Sequence, residues 1–123
     1  MELILGGAYQ GKCAYALALY NLTDSDVADA RLDATKKIIC SLHTYIYNQL
    51  KQGQNPRQEI EKFADQNPST VFICDEIGCG IVPIDPLERE YRDTVGRVCC
   101  MLAQKSSRVH RLVCGIPTVI KDA

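Results

Sequence analysis

The residues best suited to chemistry lie near the amino terminus and have the spacing of a phosphate-binding loop. They are Gly6, Gly7, Ala8, Tyr9, Gln10, Gly11, Lys12 and Cys13. In a G-x-x-x-x-G-K loop the backbone N–H groups surround a phosphate chain, and the lysine ammonium reaches the β- and γ-phosphates. Gly6, Gly11 and Lys12 fit these roles, so the segment predicts nucleotide binding. An ordinary strand-to-helix connection is the alternative.

Cys13 departs from this motif, which normally continues with serine or threonine. The hydroxyl at that position binds Mg²⁺, a hard cation that prefers oxygen ligands. The softer thiol of Cys13 is a poor replacement. We therefore expect nucleotide binding to survive this change better than catalysis does.

Two carboxylates form the second candidate group. Asp75 and Glu76 follow an apolar run at residues 71–74 that is typical of a buried strand. Ligands bind at the carboxyl ends of the strands in an open parallel sheet, where the phosphate loop also lies. With Lys12, these carboxylates are the predicted catalytic residues, and with Cys13 they are the predicted ligands of Mg²⁺. A helix cap or a surface ion pair is the alternative.

Short apolar strands that alternate with helical patterns must hold these residues in place. The predicted strands are residues 3–5, 37–42, 70–74, 109–114 and 118–120. The predicted helices are residues 14–20, residues 43–51, a short helix from Asn55, and a long helix from Asp85 to near Lys105. Continuous apolar runs are typical of strands covered on both faces, so the pattern predicts an α/β domain with a mainly parallel sheet. Residues 21–35 are predicted to be a solvated acidic loop that contains at most one weak turn of helix.

Length and composition restrict the class of protein further. The 123 residues are 46% hydrophobic and carry a formal net charge of −1. These values predict one domain over residues 1–123 and disfavour nucleic acid as a partner. No apolar run approaches the roughly 20 residues of a membrane span, and no signal peptide is recognisable, so we expect a cytoplasmic protein. In that compartment the seven cysteines are expected to be free thiols, without a zinc site.

Three further segments resemble one known family. They are residues 75–83, the helical residues 91–98, and the closing strand at residues 112–115. Together with the phosphate loop, they make the chain similar to the adenosylcobinamide kinase/adenosylcobinamide-phosphate guanylyltransferase family, as a shortened and divergent member. The resemblance implies a three-layer, RecA-like P-loop NTPase fold that uses GTP or ATP with Mg²⁺. It also implies cobinamide as the phosphoryl acceptor, guanylyl transfer through a covalent histidine, and homotrimers.

The family's functional residues carry over only in part. Asp75 replaces the asparagine of the family pattern, Cys13 replaces the loop serine, and Cys40 replaces a glutamate that follows the middle strand. The segment that bears the family's guanylylated histidine corresponds here to a stretch without histidine. His43 and His110 lie elsewhere, and we expect them to be a helix-face residue and a strand residue. The resemblance therefore predicts no guanylyl-histidine intermediate.

The sequence leaves competing functions open. The first is an enzyme in which kinase-type phosphoryl transfer is favoured over guanylyl transfer. The second is a catalytically impaired module that binds a nucleotide as a regulatory or scaffold subunit. A purely structural oligomer is the third, and it predicts no nucleotide binding at all.

Overall fold

The fold is known from a computed structural model that describes residues 1–8, 11–77 and 85–122. The strands are β1 (Glu2–Gly6), β2 (Val27–Asp29), β3 (Ile38–Cys40), β4 (Val71–Asp75), β5 (Arg108–Val113) and β6 (Ile116–Asp122). The helices are α1 (Lys12–Tyr20), α2 (Leu42–Lys51), α3 (Pro56–Gln66) and α4 (Pro86–Lys105), with a 3₁₀ turn at Asp24–Asp26. None of the described helices is long and apolar enough to cross a membrane.

The six strands form a single sheet in the order β2-β3-β4-β1-β5-β6. All neighbouring pairs are parallel except β5 and β6, which are antiparallel. A two-residue turn joins β5 to β6, and both its residues, Cys114 and Gly115, have positive φ angles of 53° and 74°. Such a turn matches the twist of a hairpin. The mainly parallel α/β fold predicted from the sequence is confirmed.

Helices cover both faces of the sheet, which gives three layers. On one face, Ala16 of α1 packs in a cluster with Ile4, Ile38 and Ile73 of the sheet. On the other face, α2, α3 and α4 bury apolar side chains around the fully buried Phe72 of β4. Burial on both faces explains why the central strands are continuously apolar.

Local signals in the sequence set the ends of two helices. The Oδ1 atom of Asn55 accepts a hydrogen bond from the Gln58 N–H at 3.2 Å, and Pro56 follows it at the first helical position of α3. Asp85 caps α4 in the same manner, through the Leu87 N–H at 2.9 Å. Side-chain acceptors satisfy N–H groups that lack a partner in the first turn of a helix. The predicted starts of both helices are confirmed.

Two predictions about the first half of the chain are wrong. The turn of helix allowed within residues 21–35 is present at Asp24–Asp26, but the segment also contains β2, which was not predicted and which pairs with β3 at the edge of the sheet. The predicted strand over residues 37–42 ends at Cys40, since Ser41 takes a left-handed conformation with φ 55° and α2 begins directly after it. The three-residue edge strand β2 is stabilised by pairing with β3, and the apolar pattern within β2 itself cannot show this.

Candidate functional site

The carboxyl ends of β1 and β4 bring the two predicted groups together. Gly6, the last residue of β1, lies opposite Asp75, the last residue of β4. The Glu76 N–H donates a hydrogen bond to the Gly6 carbonyl oxygen at 2.7 Å. A Cβ atom on Gly6 would lie 2.7 Å from the Leu112 carbonyl oxygen, closer than real Cβ atoms come. Glycine is therefore required where the loop leaves the sheet.

The loop ends in a helix whose amino terminus faces the site. Gly11 caps α1 with φ 79° in the left-handed region, which glycine adopts at little cost. Lys12 and Cys13 are the first two residues of α1. The N–H groups and dipole at a helix amino terminus favour an anion. Gly7 and Ala8 belong to the described part of the loop, whereas the predicted binding residues Tyr9 and Gln10 lie outside it.

An ion pair between Lys12 and Asp75 occupies the centre of the site. The Lys12 Nζ atom lies 2.6 Å from Asp75 Oδ1 and donates a hydrogen bond to the Gly7 carbonyl oxygen at 2.7 Å. Only 7% of the lysine side chain is exposed. A buried ammonium is costly unless it is paired and hydrogen-bonded, and these two oxygens satisfy that requirement. These two oxygens account for two of the three N–H donors of the ammonium group.

His43 holds Asp75 from the other side, and sequence reasoning missed this contact. Its Nδ1 atom accepts a hydrogen bond from the Asp75 N–H at 3.1 Å, and its Nε2 atom lies 3.3 Å from Asp75 Oδ2. This geometry places the proton on Nε2 in the neutral ring. Burial lowers the pKa of His43, and the Lys12 charge adds to that effect, while Asp75 opposes it. The one feature of the sequence that could have indicated this contact is position. His43 lies in the first turn of α2, directly after β3, and β3 is the neighbour of β4.

A pocket of about 230 Å³ opens beside this pair. Lys12, Cys13, Cys40, His43 and Asp75 are among the residues that line it. Pockets for whole drug-sized ligands measure about 300–1,000 Å³, so this space suits the phosphate end of a nucleotide. Larger clefts of about 420 and 370 Å³ lie elsewhere and contain none of these residues.

Glu76 is not among the residues that line this pocket. Its two carboxylate oxygens accept hydrogen bonds from Arg111 Nε and Nη2, at 2.9 and 3.1 Å. A two-point arginine–carboxylate pair is a strong and directional interaction. The structure thus brings Lys12 and Asp75 together, as the sequence predicts. The third predicted catalytic residue, Glu76, is instead paired with Arg111 of β5.

Among the described residues, the three predicted Mg²⁺ ligands are not brought together at one point. Of the predicted ligands, Cys13 and Asp75 line the pocket, while Glu76 is bound to Arg111. Burial and the neighbouring Cys40 thiol raise the pKa of Cys13 to about 11, so the thiol is protonated at neutral pH. Across the described ranges, no group of three or more His, Cys, Asp or Glu side chains is arranged to hold a metal ion. A hard cation would find one carboxylate here, and that carboxylate already neutralises a lysine.

His110 is buried and connects elements of the fold. It lies in β5 with 1% of its surface exposed, as the prediction of a strand residue requires. Its Nδ1 atom is 2.8 Å from the Tyr15 hydroxyl, and its Nε2 atom is 3.1 Å from Glu2 Oε1. These contacts tie α1 to β1 and β5, and they leave the ring no access to the pocket.

Comparison with known proteins assigns the family. A family model described as cobinamide kinase / cobinamide phosphate guanyltransferase matches residues 29–120. The chain belongs to this family. The matched range contains Cys40, His43, Asp75 and Glu76. The phosphate loop lies before this range, so its assignment depends on the G-x-x-x-x-G-K motif.

One curated relative gives a shorter match. It is the bifunctional adenosylcobalamin biosynthesis protein CobU of Escherichia coli (strain K12), which is 43% identical over 51 residues. The match covers 42% of this chain and 28% of the relative, so much of the relative has no counterpart in the alignment. Residues 78–84, which include most of the sequence pattern that first suggested the family, lie outside the described residues.

The contacts of His43 predict its behaviour in solution. At pH 7 we expect a neutral ring with the proton on Nε2, and a titration below the ordinary value of about 6.5. Because the folded chain resists this protonation, the His43 contribution to folding stability is present above that value and is lost as the pH falls below it. A ¹H–¹⁵N NMR titration of the ring nitrogens measures both properties. A ring protonated at pH 7, or one with the proton on Nδ1, would contradict the assignment.

Proposed function

We propose that this chain is a nucleotide-dependent kinase of the cobinamide kinase family and that it transfers the γ-phosphoryl group of GTP or ATP to cobinamide. The observation that supports this most directly is the Lys12–Asp75 pair, 2.6 Å apart, at the amino terminus of α1. It combines a phosphate-binding cation with a carboxylate that can accept a proton. Membership of the family supports the choice of acceptor.

Nucleotide binding would proceed by exchange of partners at Lys12. The β- and γ-phosphates would replace the Gly7 carbonyl and Asp75 oxygens around the ammonium, while N–H groups of the segment from Gly6 to Cys13 hold the phosphate chain. The phosphates carry more negative charge than the single carboxylate they displace. The exchange therefore retains compensation for a buried cation and releases Asp75 for chemistry.

The released carboxylate would act on the acceptor. As the hydroxyl oxygen of cobinamide attacks the γ-phosphorus, its proton passes to Asp75, and the bond from the γ-phosphorus to the bridging oxygen breaks. His43 would keep the carboxylate oriented through its Nε2–H group. We assign the proton to Asp75 because Glu76 would first have to leave Arg111. Lys12 would stabilise the charge on the transferring group.

Phosphoryl transfer is favoured over guanylyl transfer because both histidines are engaged. His43 uses both ring nitrogens on Asp75, and His110 is buried between Tyr15 and Glu2. A covalent guanylyl-histidine needs an exposed nitrogen with a lone pair beside the α-phosphate. Neither ring offers one.

The alternative is a nucleotide-binding module with weak or no catalysis. The protonated Cys13 thiol and the Glu76–Arg111 pair favour it, since both remove groups that the resemblance assigns to metal-assisted transfer. Both functions use the same phosphate site, so one series of measurements separates them.

Replacement of Lys12 tests the shared site. Lys12→Ala should weaken GTP or ATP binding by about 10- to 100-fold, because one or two charge-assisted hydrogen bonds are lost. Calorimetry measures the affinity, and the same substitution at the exposed Lys62 of α3 is the matched control. Equal affinity in both variants would contradict a phosphate loop. Incubation with cobinamide then distinguishes the functions, since a phosphorylated product supports the kinase and intact binding without product supports the module.

Replacement of Cys13 tests the metal preference of the site. Cys13→Ser should strengthen nucleotide binding in Mg²⁺ relative to EDTA, because a hydroxyl oxygen suits this cation better than a protonated thiol. The matched control is Cys100→Ser, which makes the same exchange at an exposed position on α4. If Cys13→Ser binds with the metal dependence of the parent chain, the thiol does not occupy the metal-facing position of the loop.

We also propose that the chain forms a homo-oligomer, a trimer by resemblance to the family. Support comes from the hairpin of β5 and β6, where Ile116 and Ile120 are 69% and 57% exposed and Val113 is 54% exposed. Exposed large apolar side chains on a hairpin at the edge of a sheet are typical of an interface. Ile116→Lys should lower the mass seen by sedimentation, whereas Gln58→Lys on α3 should not. A monomeric parent chain at micromolar concentration would contradict the proposal.

A further inference from the structure

Two thiols share the phosphate pocket, and the proposed reaction uses neither. Cys13 is in the first turn of α1, and Cys40 is the last residue of β3. Both line the pocket of about 230 Å³ beside Lys12, and both are partly exposed. The chain thus places a pair of cysteines where a small molecule that enters the pocket would meet them.

The two thiols are also neighbours. The Cys40 thiol is close enough to Cys13 to contribute, after burial, to the raised pKa of that group. Another pair, Cys74 and Cys99, has its sulfur atoms 3.8 Å apart, but Cys74 is fully buried. Among the described residues, the pocket pair therefore combines proximity with access from solvent.

We propose that Cys13 and Cys40 are a reversible oxidation site, at which a low-molecular-weight disulfide converts the two thiols to an intramolecular disulfide that blocks the phosphate pocket. The disulfide itself is independent of the proposed function. Only its consequence, the loss of nucleotide binding, rests on that function.

The chemistry is thiol–disulfide exchange in two steps. Because the raised pKa of Cys13 keeps that thiol protonated at neutral pH, Cys40 makes the first attack, as the thiolate, on a sulfur atom of oxidised glutathione, which forms a mixed disulfide and releases one glutathione thiolate. The second cysteine loses its proton to solvent, attacks the protein sulfur of that mixed disulfide and releases the second glutathione. The protein pair loses two electrons and the glutathione disulfide gains them, so the oxidant is consumed as two thiols. Excess reduced thiol reverses both steps.

The geometry of a disulfide explains why closure should block binding. The bond needs sulfur atoms about 2.05 Å apart and Cα atoms within about 4.4–6.8 Å. It would join the first turn of α1 to the end of β3 across the pocket between them. Lys12 precedes Cys13 directly, so the cross-link also restricts the lysine that must exchange its partners.

The experiment uses the full chain, oxidised glutathione and dithiothreitol. After oxidation, peptide mapping without reduction should show a cross-link between the peptides of Cys13 and Cys40 that is two hydrogen atoms lighter than their sum. GTP affinity, measured by calorimetry, should fall at least about tenfold and return with dithiothreitol. Oxidised Cys40→Ser should show neither effect, and Cys13→Ser is a second variant in case the first does not fold. Cys100→Ser, which removes an exposed thiol of α4, should keep both effects.

Several results would overturn the inference. Cross-links that omit this pair, or only mixed disulfides with glutathione, would remove the site. An equal loss of affinity on oxidation in the parent chain and in Cys40→Ser would assign the effect to another cysteine. If the cross-link forms but the reduced chain binds no nucleotide, the oxidation site is supported and the proposed function is contradicted.

Discussion

The buried ion pair between Lys12 and Asp75 is the constraint on which the site depends. A lysine side chain that is only 7% exposed requires an anionic partner for its charge, and Asp75 supplies it at 2.6 Å. The pair forms because β1 and β4 are adjacent and parallel, with Gly6 opposite Asp75. It also needs Gly6 itself, since a side chain there would collide with the carbonyl oxygen of Leu112 on β5. Sheet register and one glycine thus fix the distance between the loop and the carboxylate.

The groups around this pair set its chemistry. His43 is a neutral donor that keeps the carboxylate of Asp75 in place without adding charge. Cys13 and Cys40 occupy positions where the family resemblance places a serine and a glutamate, so the pocket presents two sulfur atoms in place of the oxygen ligands that a hard cation prefers. The same replacement of oxygen by sulfur bears on each proposal made for this pocket, namely phosphoryl transfer, nucleotide binding without transfer, and reversible oxidation. All three proposals depend on the residues that line this one pocket.

Sequence reasoning was most successful where the deciding interactions are local. The caps at Asn55 and Asp85 lie within three residues of the N–H groups they satisfy, so the starts of α3 and α4 follow from the sequence. The continuously apolar strands likewise report burial on both faces. Sequence reasoning missed β2, which pairs with β3. It also missed the end of β3 at Cys40, where Ser41 takes a left-handed conformation and separates β3 from α2. The pairing of β2 with β3 cannot be recognised from the residues of β2 alone.

The amino-acid sequence by itself determined the phosphate-loop motif, the two carboxylates at the carboxyl end of β4, the class of fold and the family. Each of these can be recognised from residue types at fixed short spacings, without knowledge of the packing. Only the tertiary structure decided that Asp75 pairs with Lys12, that Glu76 pairs with Arg111, and that His43 and the two thiols share the pocket. These choices depend on which strands are neighbours and on the direction of each side chain at the strand ends. Distances between residues far apart in the chain are set by the sheet, and no local pattern encodes them.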